Sequence, residues 1–142
     1  MSDESIEAQV VAKGLTAPRI TKANILDLIA SEHYFTAKDG AMMKVEFKDC
    51  NKLPPSLGLH TFCVLVLKDG FTVSGESCVV SAANFDADIG KQAAYENAIN
   101  KIWGHEGYLL KYKLWAAEQI RPTYYVQHPD GSHTAADPQP LL

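Results

Sequence analysis

The residues of this chain best suited to chemistry gather around one junction. Asn84 stands at the expected start of a long helix, Lys91 and Lys101 follow along it, and Phe71 lies in the hairpin just upstream. Free backbone N–H groups at a helix start, together with ammonium groups, are what a phosphate needs, and an aromatic ring offers a face to a base. Tyr108 lines up with Lys101 on the far face of the same helix and joins the candidate contacts, although such a tyrosine more often serves a core or an interface. Against the arrangement, Asp86 and Asp88 stand at that helix end and repel an anion. The chemistry expected is therefore capture of a small ligand by Phe71, Asn84, Lys91, Lys101 and Tyr108.

Other chemistries are poorly served. The histidines His33, His60, His105, His128 and His133 have no spacing that puts two on one helical turn beside a carboxylate, so no metal site is expected. Ser74-Gly75-Glu76-Ser77 lacks the Gly-x-Ser-x-Gly spacing of a nucleophile elbow and reads as a strand with a bulge at Gly75. Neither Gly-Lys-[Ser/Thr] nor Gly-x-Gly-x-x-Gly occurs, which removes the common nucleotide cradles and leaves no cofactor to expect. Glu96 and Glu106 have nothing to bring them face to face, and solvated helix charges are the plainer reading. No set of groups points to an enzyme. Cys50, Cys63 and Cys78 are odd in number, lack C-x-x-C spacing, and read as buried reduced thiols.

Composition narrows the class further. With 142 residues, 46% of them apolar and 21% charged, the chain is long enough for one core. A formal charge of −4 argues against a DNA- or RNA-coating surface, which needs a basic stripe. It leaves room for a pocket where a few cations converge. No run reaches the ~18 apolar residues of a membrane span, and MSDESIEAQ is the opposite of a secretory signal. A cytoplasmic protein is expected.

The elements that must position these residues follow in chain order. A thin apolar pattern at Ile6, Val10 and Val11, stopped by Gly14, predicts a short helix within Ser2–Leu15. Thr21 suits the N-cap of a helix from about Lys22 to Ser31, with Ile25, Leu26, Leu28 and Ile29 on one side. Asp39-Gly40 lies between Tyr34–Ala37 and the alternating Ala41–Phe47. It predicts a hairpin, because both central residues of a type I′ turn need positive φ. Asn51–Leu59 reads as a surface connection. Asp69-Gly70 predicts a second hairpin between Thr61–Lys68 and Phe71–Val80, with Lys68 opposite Phe71 and Cys63 opposite Glu76. The continuous run Cys63–Leu67 suggests a strand covered on both faces. The fold class expected is α+β: an antiparallel four-stranded meander followed by a long C-terminal helix, or two helices. Residues 1–20 form an N-terminal segment, 21–115 one domain and 116–142 a partly flexible extension. Within that extension Thr123–Gln127 suggests an edge strand, Pro129-Asp130-Gly131 a turn, and SHTAADPQPLL a mobile tail.

The helix itself raises a question of length. Capped by Ser81 or Asn84, it places Phe85, Ile89, Tyr95, Ile99, Ile102, Trp103, Leu109, Leu110 and Leu114 on a broad side expected to lie on the sheet. Gly90, Ala94, Asn97, Lys101, Gly104 and Tyr108 occupy the far face, where small residues permit close approach of another helix. Unbroken from Asn84 to Trp115 it would span about 48 Å at ~1.5 Å per residue, against about 30 Å for a compact domain of this size. Either the helix breaks near Gly104–Gly107, or a second copy of the chain covers the surplus. The dimer is favoured, and on that reading a tryptophan at Ala94 breaks self-association.

The stretches D-G-F-T-V-S-G-E-S-C-V-V-S-A-A-N-F-D-A-D-I-G (Asp69–Gly90) and E-N-A-I-N-K-I-W-G-H-E-G-Y-L-L (Glu96–Leu110) resemble a family of small accessory proteins of tailed bacteriophages. K-G-L-T-A-P-R-I-T (Lys13–Thr21) and S-E-H-Y-F (Ser31–Phe35) resemble its N-terminal half. The strand–junction–helix layout is also similar to the phage Thoeris anti-defence sponges of the first type. That resemblance implies a protein of the infected host's cytoplasm that binds a cyclic ADP-ribose isomer or a cyclic oligonucleotide and removes this immune signal without cleaving it. It further implies helices that zip into homodimers, hexamers in some members, and pockets between subunits with Asn84 and Lys101 as contacts. The chain departs from the sponges in its arginines, with Arg19 and Arg121 alone, so phosphate would meet lysine point charges. A different reading is a protein–protein inhibitor of a host or phage enzyme with no small ligand.

Overall fold

The computed structural model describes residues 2–119 and 124–136. Ser2 caps the first helix, α1 (Asp3–Ala12), its hydroxyl accepting from the Ser5 N–H. That helix stops in a Schellman turn: Leu15 N–H donates to Val10 O at 3.2 Å and Gly14 N–H to Val11 O at 3.0 Å. Gly14 takes the left-handed conformation the turn requires, with φ 65°. Helix α2 (Lys22–Leu28) starts from the expected cap, Thr21, in a reciprocal capping box with Asn24. It ends three residues earlier than expected because the chain turns extended at Ile29 to begin strand β1 (Ile29–Thr36). Ile25 is completely buried.

The first predicted hairpin does not form. Thr36 and Asp39 close a second capping box, with Asp39 Oδ2 accepting from Thr36 N–H at 2.7 Å and Thr36 Oγ1 from Asp39 N–H at 3.2 Å. That pair starts helix α3 (Ala37–Met42), and Gly40 falls inside the helix instead of a turn. Two 3-10 turns, Phe47–Lys52 and Pro55–Leu59, complete the connection to strand β2 (His60–Leu67). The alternation of Met43, Val45 and Phe47 thus belongs to no strand, and Met43 and Phe47 are largely exposed.

The sheet therefore has three strands in the order β1-β2-β3, antiparallel throughout, with strand β3 at Thr72–Cys78. The second hairpin is present but slipped by one residue: Cys63 faces Gly75, and Phe62 faces Glu76. Leu67 and Phe71 close a three-residue loop, in which Gly70 supplies a left-handed φ of 86°. The slip keeps Glu76 off the buried face, since Val73 and Gly75 join Thr61, Cys63, Leu65 and Leu67 there. Register runs unshifted through Gly75, so there is no bulge. Nor is Cys63–Leu67 covered on both faces, for buried and half-buried residues alternate along it. Of the cysteines, Cys63 is buried, Cys50 half-buried and Cys78 exposed.

Gly75 explains how the helix lies on this sheet. Helix α4 (Ala87–Gln119) continues through Gly104 and Gly107 and buries Gly90, Ala94, Ala98, Ile99 and Ile102. A Cβ on Gly75 would stand 2.0 Å from the Ala94 carbonyl oxygen and 2.3 Å from the Ala98 nitrogen. Gly90 meets the buried Thr61 hydroxyl in the same way, a Cβ there reaching 3.1 Å. Gly90 and Ala94, the small residues expected to receive a second copy, are thus seated on the chain's own sheet, while Gly104 of the same face is exposed and Ile89, expected inside, is 68% exposed. The helix also begins at Ala87 after a 3-10 turn over Ala82–Asn84, and its cap is Asp86, not Ser81 or Asn84. Asp86 Oδ1 accepts from Asp88 N–H at 2.9 Å and Ile89 N–H at 3.0 Å.

The chain divides into two compact units, Met1–Gly107 and Tyr108–Leu142. The second holds the end of α4 and an antiparallel pair, β4 (Tyr124–Gln127) and β5 (His133–Ala136), turning through Gly131. The first part of the predicted mobile tail is thus strand β5. Residues 137–142, Thr123 and Arg121 lie outside the described residues.

Two glycine substitutions separate packing from propensity. Gly75→Ala should lose about 3 kcal/mol in urea unfolding, because the new methyl meets helix backbone that cannot rotate away. Gly104→Ala, with nothing near its Cβ position, should gain about 1 kcal/mol in the same assay.

Candidate functional site

The structure separates the residues proposed from sequence. Lys101 Nζ donates to the Ser74 carbonyl at 2.6 Å, and Asn97 Nδ2 donates to the Glu76 carbonyl at 2.9 Å. These carbonyls point away from β2, so both side chains close the outer edge of β3. Phe71 is half-exposed and sits edge-on to His105, one turn beyond Lys101, with ring centroids 5.8 Å apart. Phe71 and Lys101 thus come to the same side of β3. Lys91 is exposed ten residues earlier on α4, about 15 Å away along the axis at ~1.5 Å per residue. Asn84 is exposed in the 3-10 turn, and the Asp86 carboxylate already occupies the helix start where a phosphate was expected. Tyr108 is 75% exposed in the second unit.

A better-formed site lies within the first unit. A cleft of about 430 Å³ opens between α1, the segment leading into α2, and the middle of α4. Ile6, Val10 and Ile20 give it apolar walls, and Trp103 presents its indole there while packing against the core. Four charges line it, Asp3 and Glu7 against Arg19 and Lys22, and Asn100 adds an amide. Arg19 Nη2 pairs with Glu7 Oε1, and its Nη1 donates to the Leu15 carbonyl at 3.1 Å. Lys22 reaches Glu4 at 3.7 Å. An indole face, a guanidinium, an ammonium and an amide around an apolar hollow can hold a flat ring carrying an anionic group. Sequence reasoning noted Arg19 and Trp103 but did not join them. No local pattern connects residues 3–22 with 100–103, and each type is ordinary in its own place.

No group of three or more His, Cys, Asp or Glu residues that could hold a metal ion exists among the described residues. No described helix is long and apolar enough to cross a membrane. What fold and site define together is a small α+β domain, a three-stranded antiparallel sheet under one long helix, with a ligand-sized cleft beside the packed core. The model of the family described as Phage protein (N4 Gp49/phage Sf6 gene 66) matches residues 20–114, and the chain belongs to that family. Helix α1 precedes the matched stretch. No curated protein and no solved structure matches the chain.

The buried face of the sheet carries its own titratable cluster. Tyr34 OH donates to Glu32 Oε2 at 2.7 Å beside Cys63, its cross-strand partner. Burial first, and then the Glu32 carboxylate, push the Tyr34 hydroxyl well above the usual phenol range. Burial likewise raises Cys63 and Tyr95. These groups fold neutral, so their stabilisation is complete below their unfolded pKa values and is lost as pH climbs toward the raised folded ones. The urea midpoint should therefore fall above about pH 9. In Tyr34→Phe the decline above about pH 10 should be shallower, which parallel urea titrations would show.

Proposed function

We propose that this phage protein binds a small cyclic nucleotide signal of host antiphage immunity in the infected cell's cytoplasm. The signal would be a cyclic ADP-ribose isomer or a cyclic oligonucleotide, and the protein would withdraw it without cleaving it. The cleft carries the reading: its volume of about 430 Å³ suits such a ligand. Trp103 would stack on a base, Arg19 would fork onto a phosphate, Lys22 would add a point charge and Asn100 would pair with a ring edge. Withdrawal needs only affinity, about −12 kcal/mol for a dissociation constant near 1 nM. It asks for no nucleophile, base or metal.

The exposed end of α4 supports self-association as part of this proposal. Tyr108, Tyr112 and Trp115 recur at one helical face, 75%, 52% and 51% exposed, and Tyr112 and Trp115 pack together at 5.7 Å. Such a stripe suits the same stripe of a second copy. A protein–protein inhibitor is the other reading. Met43 and Phe47 favour it, being 83% and 95% exposed on the connection before β2.

Isothermal calorimetry with cyclic ADP-ribose isomers and cyclic di- and trinucleotides tests the first reading. Heat at micromolar protein is expected with at least one, and Trp103→Ala should weaken it about ten-fold or more. Silence with every ligand overturns the proposal, and recovery of a cleaved ligand after heat release overturns the non-catalytic part. Light scattering should give about twice the 15.6 kDa chain mass, reverting to one chain in Tyr112→Lys. A single-chain mass for the unaltered protein would remove the dimer.

A further inference from the structure

Helix α1 is an unusual wall for a binding cleft, because none of its residues is buried. Ile6 and Val10 face the hollow, yet Ile6 remains 47% exposed. At its C-terminal end the helix hangs from the Gly14 turn. Across the cleft, among the described residues, the ion pairs Glu7 with Arg19 and Glu4 with Lys22 fasten it, their side chains 34% to 81% exposed. Pairs this wet hold weakly and weaken further in salt.

The charges explain what the fastening does. Asp3 and Glu7 offset Arg19 and Lys22, so the closed cleft offers an anion no net attraction. Arg19 is steadied from its own segment by the Leu15 carbonyl, while Nη2 is taken by the Glu7 carboxylate. A carboxylate and a phosphate oxygen seek the same guanidinium geometry.

We infer that α1 is a displaceable lid and that Glu7 stands on Arg19 where the anionic group of a ligand will bind. The ligand class is then a flat ring joined to a phosphate: the ring lies on Trp103 while the phosphate exchanges with Glu7, and α1 swings about the Gly14 turn. The ligand half of this inference rests on the function proposed above, and the lid half does not. Glu7 opposes binding, so removing its charge strengthens capture. A purely structural clamp would behave in the opposite sense.

Two measurements separate the halves. In a Trp115→Phe background, where Trp103 is the sole indole, acrylamide quenching should rise with Glu7→Gln, and in the parent as salt goes from about 0.02 to about 0.5 M. Quenching unchanged in both would overturn the lid. In calorimetry with cyclic ADP-ribose isomers and adenosine monophosphate, Glu7→Gln should bind about three- to five-fold more tightly, and Arg19→Gln should lose about ten-fold. Equal or weaker binding by Glu7→Gln, with circular dichroism showing an intact fold, would overturn the exchange. Increased quenching with no nucleotide bound by any variant would sink the function reading and leave the lid standing.

Discussion

Contact between two backbones governs this molecule. Strand β3 and helix α4 meet where Gly75 lies under Ala94 and Ala98, closer than any side chain between them would allow. Residues on either side exploit that proximity. Asn97 and Lys101 are near enough to take the Glu76 and Ser74 carbonyls, so a strand that would otherwise present an open edge is closed by the helix above it. A lysine engaged in this way has a structural role that its sequence position alone did not disclose.

Legibility varied with how local each determinant was. Thr21 and its helix, the hairpin near Asp69-Gly70 and the long helix were readable because each depends on a few neighbouring residues. Asp39-Gly40 misled because two local signals compete there. The dipeptide favours a turn, but Thr36 three residues before Asp39 completes a capping box, and helix α3 wins. The one-residue slip of the second hairpin came from loop length, since Gly70 can serve a two- or a three-residue loop equally well. Gly90 and Ala94 of α4 were recognised for their small size and assigned the wrong neighbour. Nothing in a row of glycine and alanine says whether the approaching backbone belongs to another helix or to a strand of the same chain.

The candidate site was the least legible part because it is assembled from two stretches about eighty positions apart, neither carrying a motif. Arg19 counted as one of two arginines, and Trp103 as a core residue, and both descriptions were correct as far as they went. Their meeting depends on the segment leading into α2 lying beside α4, which no periodicity encodes. The anion site suggested at the helix start meets a readable obstacle: the Asp86 carboxylate caps the Asp88 and Ile89 N–H groups, and its charge stands where a phosphate would come.

Packing and cleft are nevertheless one problem. At ~100° per residue, the turn that buries Ile99 and Ile102 turns Asn100 and Trp103 sideways toward α1. The angle at which α4 sits is set where Ala94 and Ala98 touch Gly75, so the direction of the indole is decided about one and a half to two and a half helical turns away from it. A helix lifted off the strand by a single methyl group would roll as well as rise, carrying Trp103 with it. The absence of a side chain at Gly75 therefore governs two things together, the seal along the edge of β3 and the shape of the cleft. A ligand that grips Trp103 and Arg19 would in turn bear on the same helix, so occupancy and core packing share one mechanical element.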